Sequence, residues 1–192
     1  RQGVDALTHC IEAYTVQLHQ PITDALALKG ISMIAENLEK AYENGEDREA
    51  RRNMMIASTI GGMAFISSNV GAVHAFAETV GAWFDTPHGV ANSLFLPYIM
   101  EFNIPACPER FADIADAMGI EREESMSDEQ YALKAVEYVK ALNRKLNIPT
   151  IKEIKGITEE RFEAIAERSA NNVLSNDNAR KITKEDYLEL LK

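Results

Sequence analysis

The sequence predicts an all-α fold, and three observations carry that prediction. Apolar residues recur at three- and four-residue steps along almost the whole chain of 192 residues. No stretch alternates apolar and polar residues over four or more positions, as a half-buried strand would. Turn-forming residues punctuate the helical windows at His19-Gln20-Pro21, Asn44-Gly45, Asp85-Thr86-Pro87, Asn103-Ile104-Pro105, Gly119 and Asn147-Ile148-Pro149.

The first helix is expected over Gly3-Val4-Asp5-Ala6-Leu7-Thr8-His9-Cys10-Ile11-Glu12, where Asp5 and His9 share one face at a spacing of four. Residues 24–43 place Leu28, Ile31, Ile34 and Leu38 on a second helix, with Thr23 as its N-cap and Gly45 beyond its end. Asp47 caps the third. Its later part, from Met54-Met55-Ile56 to Met63-Ala64-Phe65-Ile66, is apolar on every side and reads as a central buried helix. Gly61-Gly62 within it would let a neighbouring backbone come close, at some cost in helix propensity. The apolar run 90–100 lacks alternation and follows a Pro-His-Gly turn, so it is not read as a strand. Ser127 with Gln130 forms a capping box ahead of Leu133, Val136, Val139 and Leu142. Thr158 precedes Glu159-Glu160 and a helix carrying Phe162 and Ile165, and Thr183 with Asp186 opens a last short helix. Near residue 120 the composition turns from Ala, Gly and Met towards Glu, Lys and Arg. We therefore read one helical unit, 1–192, with a site-bearing part (1–105) and a more solvated helical part (106–192).

Composition narrows the function. With 46% hydrophobic and 26% charged residues the chain has an ordinary globular composition, long enough for one sizeable core. A net charge of −10 leaves no basic stripe for nucleic acid. No apolar run approaches the roughly 20 residues of a membrane span, and no signal-peptide pattern opens the sequence. Cys10 and Cys107 belong to no CxxC pair, so reduced thiols and a cytoplasmic location are expected. The chain opens on Arg1 rather than Met, with the first helix immediately after it, and is expected to be a piece of a larger protein.

Three of the four histidines suggest metal chemistry. Asp5 and His9 pair on one helix, and His74 and His88 lie within 15 positions of each other. One carboxylate and three imidazoles suit Fe(II), Zn(II) or Mn(II). Taken singly, each histidine also reads as a satisfied core residue and Asp5 as a first-turn acid, and those readings stay open at this point. His19 reads as a solvated loop residue, and Glu12, one turn beyond His9, as an exposed acid with a supporting role to a ligand as the alternative. Several metal and nucleotide chemistries are excluded by pattern. There is no HExxH, no pair of ExxH motifs, no adjacent His-Asp, no GxGxxG and no GxxxxGK[ST].

The segment Gly3-Val4-Asp5-Ala6-Leu7-Thr8-His9, His74, and Pro87-His88-Gly89-Val90-Ala91-Asn92 together resemble the two signatures of the iron-containing (group III) alcohol dehydrogenases. The resemblance covers the whole chain. It implies the all-helical C-terminal domain of a two-domain plan shared with dehydroquinate synthase and glycerol dehydrogenase. An N-terminal α/β domain holding NAD(P) would precede Arg1. By that likeness Asp5, His9, His74 and His88 are the ligands of Fe2+, or alternatively of Zn2+ or another divalent metal. The implied reaction interconverts small alcohols and aldehydes or ketones by hydride transfer to and from NAD(P), with the metal as Lewis acid. The isolated chain is expected to be inactive, lacking the nucleotide's cradle.

Two departures from the family pattern stand out. Where many members carry a further histidine four residues after the third ligand, this chain has Glu78, for which three roles compete: orienting a ligand imidazole, accepting a proton from the alcohol, or a surface acid pointing into solvent. A common Asn-Pro-Arg appears as Asn178-Ala179-Arg180. Two other readings remain: a stand-alone helical metal-dependent hydrolase activating water with the same ligands, and a helical interaction domain with structural histidines. The expected partner is a small alcohol or aldehyde, with no nucleic acid and no membrane, and a homo-oligomer is compatible with the sequence.

Overall fold

The computed structural model describes residues 2–192, and among them nine α-helices and no strand are found. The helices are α1 (Gln2–Thr15), α2 (Pro21–Glu43), α3 (Arg48–Ser68), α4 (Ala72–Phe84), α5 (His88–Asn103), α6 (Pro108–Ala117), α7 (Asp128–Lys145), α8 (Glu159–Ala170) and α9 (Lys184–Leu190). Short 3-10 turns at Ile104–Ala106, Ile151–Glu153 and Val173–Asp177 fill three of the connections. No single described helix is long and apolar enough to cross a membrane.

The centre of the fold is α1. Val4, Leu7, Cys10, Ile11, Ala13 and Tyr14 are buried on several of its faces, and it packs against α2, α3, α5 and α6. The expectation of a central buried helix over Met54–Ile66 is thus corrected. Over Met54–Ile66 only a narrow stripe of small residues, Ala57, Gly61 and Ala64, is buried, while Met55 is 71% and Ile66 79% exposed. An all-round apolar sequence does not say which face is covered; the small side chains decide it by letting α3 lie close to α1. A Cβ on Gly61 would stand 3.1 Å from Cys10 Sγ and 3.3 Å from the Ala6 carbonyl, whereas Gly62 faces open space. Gly30 of α2 approaches the same sulfur, at 2.5 Å for an added Cβ.

Capping chemistry delimits most helices where the sequence signals it. Ser127 with Gln130 and Thr183 with Asp186 form complete capping boxes, and Asp47 Oδ1 accepts from the Ala50 N–H at 2.9 Å. Thr158 precedes α8 without a side-chain cap bond. The cap of α2 differs from expectation. Gln20 is the N-cap and Thr23 its reciprocal partner in the box, because Pro21 is preset for the first helical position. Along α7 the expected apolar face is kept except at Leu133, which is 39% exposed; Ala132 and Ala135 take the inner positions.

In α5, Pro97 sits inside the helix and lacks the N–H that would bond the Ser93 carbonyl. Asn143 of α7 donates to that carbonyl at 2.6 Å, so the defect becomes an inter-helix tie. On the other side of α5, Phe95 stacks on Phe76 of α4 at 3.8 Å, and Tyr187 of α9 meets Phe76 edge-on at 4.9 Å. Asn178 and Asn103 exchange buried amide hydrogen bonds of 2.7 and 3.0 Å, and Asn178 Oδ1 also accepts from the Ala72 N–H at 3.3 Å. Arg180 lies over the Phe102 ring. The Asn178 and Arg180 side chains pin the C-terminal segment to α4 and α5, and the side chain of residue 179 takes no part in those contacts.

Candidate metal centre

Helices α1, α4 and α5 bring four side chains to one place. Asp5 and His9 come from successive turns in the first part of α1, His74 from the first turn of α4 and His88 from the first position of α5. Each offers an atom such that all four lie within 4.8 Å of one another. The turn between α4 and α5 is local chemistry. Asp85 adopts the left-handed conformation (φ 51°) that ends α4, a conformation Asp tolerates better than most residues. The Pro87 carbonyl then accepts from Val90 and Ala91 and starts α5 with His88 at its tip.

Hydrogen bonds outside the cluster aim two of the imidazoles. His9 Nδ1 donates to the Asp5 carbonyl at 2.8 Å. His74 Nδ1 donates to the Glu12 carboxylate. With both Nδ1 atoms committed as donors, the Nε2 lone pairs of His9 and His74 face each other at 3.1 Å. His88 Nε2 stands 3.5 Å from Asp5 Oδ1, with its side chain half exposed. Phe65 flanks His9 at 4.5 Å between ring centroids. Lone pairs and a carboxylate converging without a donor between His9 and His74 form a donor set with the chemistry of a borderline divalent cation. In the protein as it stands, burial and the neighbouring His74 depress the pKa of His9. Burial also opposes charge on His74, but the charge and hydrogen bond of Glu12, aided by Asp5 and Glu78, outweigh it and raise that pKa.

Glu12 corrects the expectation of an exposed acid. It is 3% exposed, and its second oxygen accepts from the Val73 N–H at 2.8 Å, capping α4 from a different helix. Gly71 makes this approach possible, since a Cβ there would lie 3.3 Å from Glu12 Oε1. A carboxylate at this point also complements the positive end of α4. Orienting the His74 imidazole, one of the roles open to Glu78, therefore belongs to Glu12. Glu78 itself is exposed, one turn beyond His74, and accepts from Asn172 at 2.8 Å. His19 is a loop residue at the surface, 3.3 Å from Asp24, as expected.

The sequence reading also passed over Asn92. It is fully buried, and its Nδ2 lies 2.6 Å from Asp5 Oδ1, 3.1 Å from His74 Nε2 and 3.0 Å from His88 Nε2. A signal was available: Asn92 follows His88 by four residues, the spacing that joins Asp5 to His9.

The fold and this cluster define a class: an all-helical domain built around three imidazoles and a carboxylate from three helix starts. The chain belongs to the Fe-containing alcohol dehydrogenase family, whose C-terminal model matches residues 1–192. It is 41% identical over 193 residues to alcohol dehydrogenase 4 of Saccharomyces cerevisiae, covering 99% of this chain and 48% of that protein. It is 39% identical over 192 residues to the NADPH-dependent butanol dehydrogenase of Clostridium saccharobutylicum, covering 98% and 48%. The crystal structure of a 1,3-propanediol oxidoreductase superposes with a TM-score of 0.94 at 39% identity, over 98% of this chain and 49% of that one. The chain thus spans about half the length of the relatives it matches.

Proposed function

We propose that Asp5, His9, His74 and His88 hold one divalent metal ion, iron(II) first and zinc(II) as the alternative, in an NAD(P)-dependent alcohol dehydrogenase. Family membership favours this over the stand-alone hydrolase and the interaction domain. The observation that carries it is the convergence of four ligand atoms within 4.8 Å, with the His9 and His74 Nδ1 atoms already committed elsewhere. When bound, such an ion supplies the Lewis acidity that lowers an alcohol's pKa and polarises an aldehyde carbonyl.

The chain's own groups do the rest. Glu12 and the Asp5 carbonyl hold the imidazoles in the tautomer that presents Nε2. The half-exposed edge of His88 and Asp5 border a cavity of about 880 Å³, also lined by Tyr42, Pro87 and Asn147, which has ample room for a small alcohol. Glu78 enters this reading as a proton acceptor: it is exposed, one turn from His74, and its charge acts on that ring. Glu78→Gln should lower kcat of alcohol oxidation without lowering metal content. The nucleotide would be held by the half of the relatives that these residues do not match.

The test compares the 192-residue chain with the full-length protein. The full-length protein should retain one divalent ion per chain by elemental analysis and oxidise small alcohols or diols with NAD(P). The chain alone should show no such turnover. Unchanged metal content in full-length His74→Ala would overturn the ligand assignment.

A further inference from the structure

The geometry points to Asn92 as a positioning residue that holds the Asp5 carboxylate in a one-oxygen binding mode, an inference that rests on the ligand set proposed above. Asn92 Nδ2 faces three acceptors at once: Asp5 Oδ1 at 2.6 Å and the Nε2 atoms of His74 and His88 at 3.1 and 3.0 Å. One amide nitrogen has two N–H groups, so three acceptors exceed what it can serve. A cation that takes the imidazole lone pairs removes the surplus and leaves the shortest of the three bonds, to Asp5.

That bond also fixes the amide's orientation. The opposite rotamer would set the Asn92 carbonyl oxygen against a carboxylate oxygen 2.6 Å away, two acceptors with no proton between them. Asn92 Oδ1 is buried with no hydrogen-bond partner, so the side chain is not held there by its carbonyl. An amide whose acceptor is left unsatisfied at full burial is costly. The interaction on its donor side is what offsets that cost. Asn92 holds Oδ1 of Asp5, the oxygen 3.5 Å from His88 Nε2, towards the cluster, while Oδ2 stands 3.9 Å from His9 Nδ1; the carboxylate thus offers the ion Oδ1 alone and does not chelate through both oxygens. A coordination position is thereby kept for substrate oxygen.

The test uses cobalt(II) as a spectroscopic probe, titrated into the purified chain with and without a competing chelator. Wild type should bind one cobalt with the visible d–d bands of a low-coordinate ion. Asn92→Leu, close in shape but without polar atoms, should bind about 10- to 100-fold more weakly. It should also shift the bands towards higher coordination number. Asn92→Ala, which cannot clash, should show the same spectral shift and serves if the leucine variant does not fold. In an Asp5→Asn background the Asn92 substitution should cost almost nothing further, because it acts through that carboxylate. A purely structural role would give additive losses and an unchanged spectrum. Wild-type affinity and spectrum in both Asn92 variants, with binding lost in His74→Ala, would overturn the Asn92 inference and leave the metal site standing. Cobalt binding by His74→Ala equal to wild type would instead overturn the site itself.

Discussion

Glu12→Gln should weaken both the fold and the metal centre, by amounts that follow from its two hydrogen bonds. The carboxylate accepts from two buried donors, the Val73 N–H at 2.8 Å and His74 Nδ1. A glutamine keeps the shape but offers one acceptor oxygen, so one donor must face an amide N–H. Val73 N–H is backbone and has no alternative state, so the oxygen should turn to it. The amide then donates to His74 Nδ1, and the ring proton moves to Nε2, the atom that points into the cluster. Exchanging two hydrogen bonds to a charged acceptor for two neutral ones costs about 1–3 kcal/mol in all. A ligand forced into the wrong tautomer should lower metal affinity about 10- to 100-fold, the range found when the outer partner of a ligating histidine is removed. That range corresponds to about 1.4–2.8 kcal/mol. Three measurements check the chain of reasoning: the urea midpoint of the metal-free chain, zinc affinity by chelator competition, and the His74 tautomer by ¹⁵N NMR. Wild-type stability and affinity in Glu12→Gln, with Nδ1 still protonated, would refute it.

Three further outcomes are expected. Gly30→Ala should lower stability, because overpacking against Cys10 Sγ (about 1–3 kcal/mol) exceeds the helix-propensity gain of about 1 kcal/mol, and Cys10→Ala in the same chain should reverse the sign; differential scanning calorimetry of the three variants reads this directly. Asn143→Ala should cost about 1–3 kcal/mol by orphaning the Ser93 carbonyl, and much less when Pro97→Ala restores the helical N–H, a non-additivity measured by denaturant unfolding. Burial raises the Cys10 thiol from 9.0 to about 12 and lifts the Tyr187 phenol above 10.0. The folded state therefore holds these protons longer than the unfolded one. Their contribution is complete below pH 9 and is lost as pH rises from there towards 12, so the urea midpoint should fall over that window.

Helices and their caps were legible because they are set by neighbours a few residues away. Ser127 with Gln130 and Thr183 with Asp186 are capping boxes in sequence and in space alike. The spacing of Asp5 and His9 likewise belongs to one helix, and the resemblance joined it to His74 and His88. What the sequence did not reveal depends on distant contacts. The segment Met54–Ile66 is apolar all round, and only the approach of α1 shows that Ala57, Gly61 and Ala64 form the inner face. Glu12 resembles any helix acid until α4 is seen to start at its carboxylate, 61 residues away. Its neighbours Ile11 and Ala13 hinted at burial, but a hydrophobic flank does not name the donor that a buried acid needs. Pro97 leaves the Ser93 carbonyl without its helical donor, and the repair comes from Asn143 on another helix.

The central position of α1 has a consequence for how the chain acquires its structure. The helix that carries Asp5 and His9 is made by the ribosome before α2, α3, α5 and α6, the helices that cover it. Helices α2 and α3 can cover part of it as soon as they emerge, but the face that meets α5 and α6 waits until the chain has grown past α6, which ends at Ala117. Local pairs such as α2 with α3 and α6 with α7 form from neighbouring sequence, whereas α1 joins contacts separated by up to about a hundred residues, as in the Tyr14–Asp113 hydrogen bond. Closing such long loops is slow relative to forming a helical hairpin. The two halves of the cluster, Asp5–His9 and His74–His88, therefore meet late, when α1 docks beneath α4 and α5. Before that step the four side chains of the proposed site are two scattered pairs; after it they are one cluster.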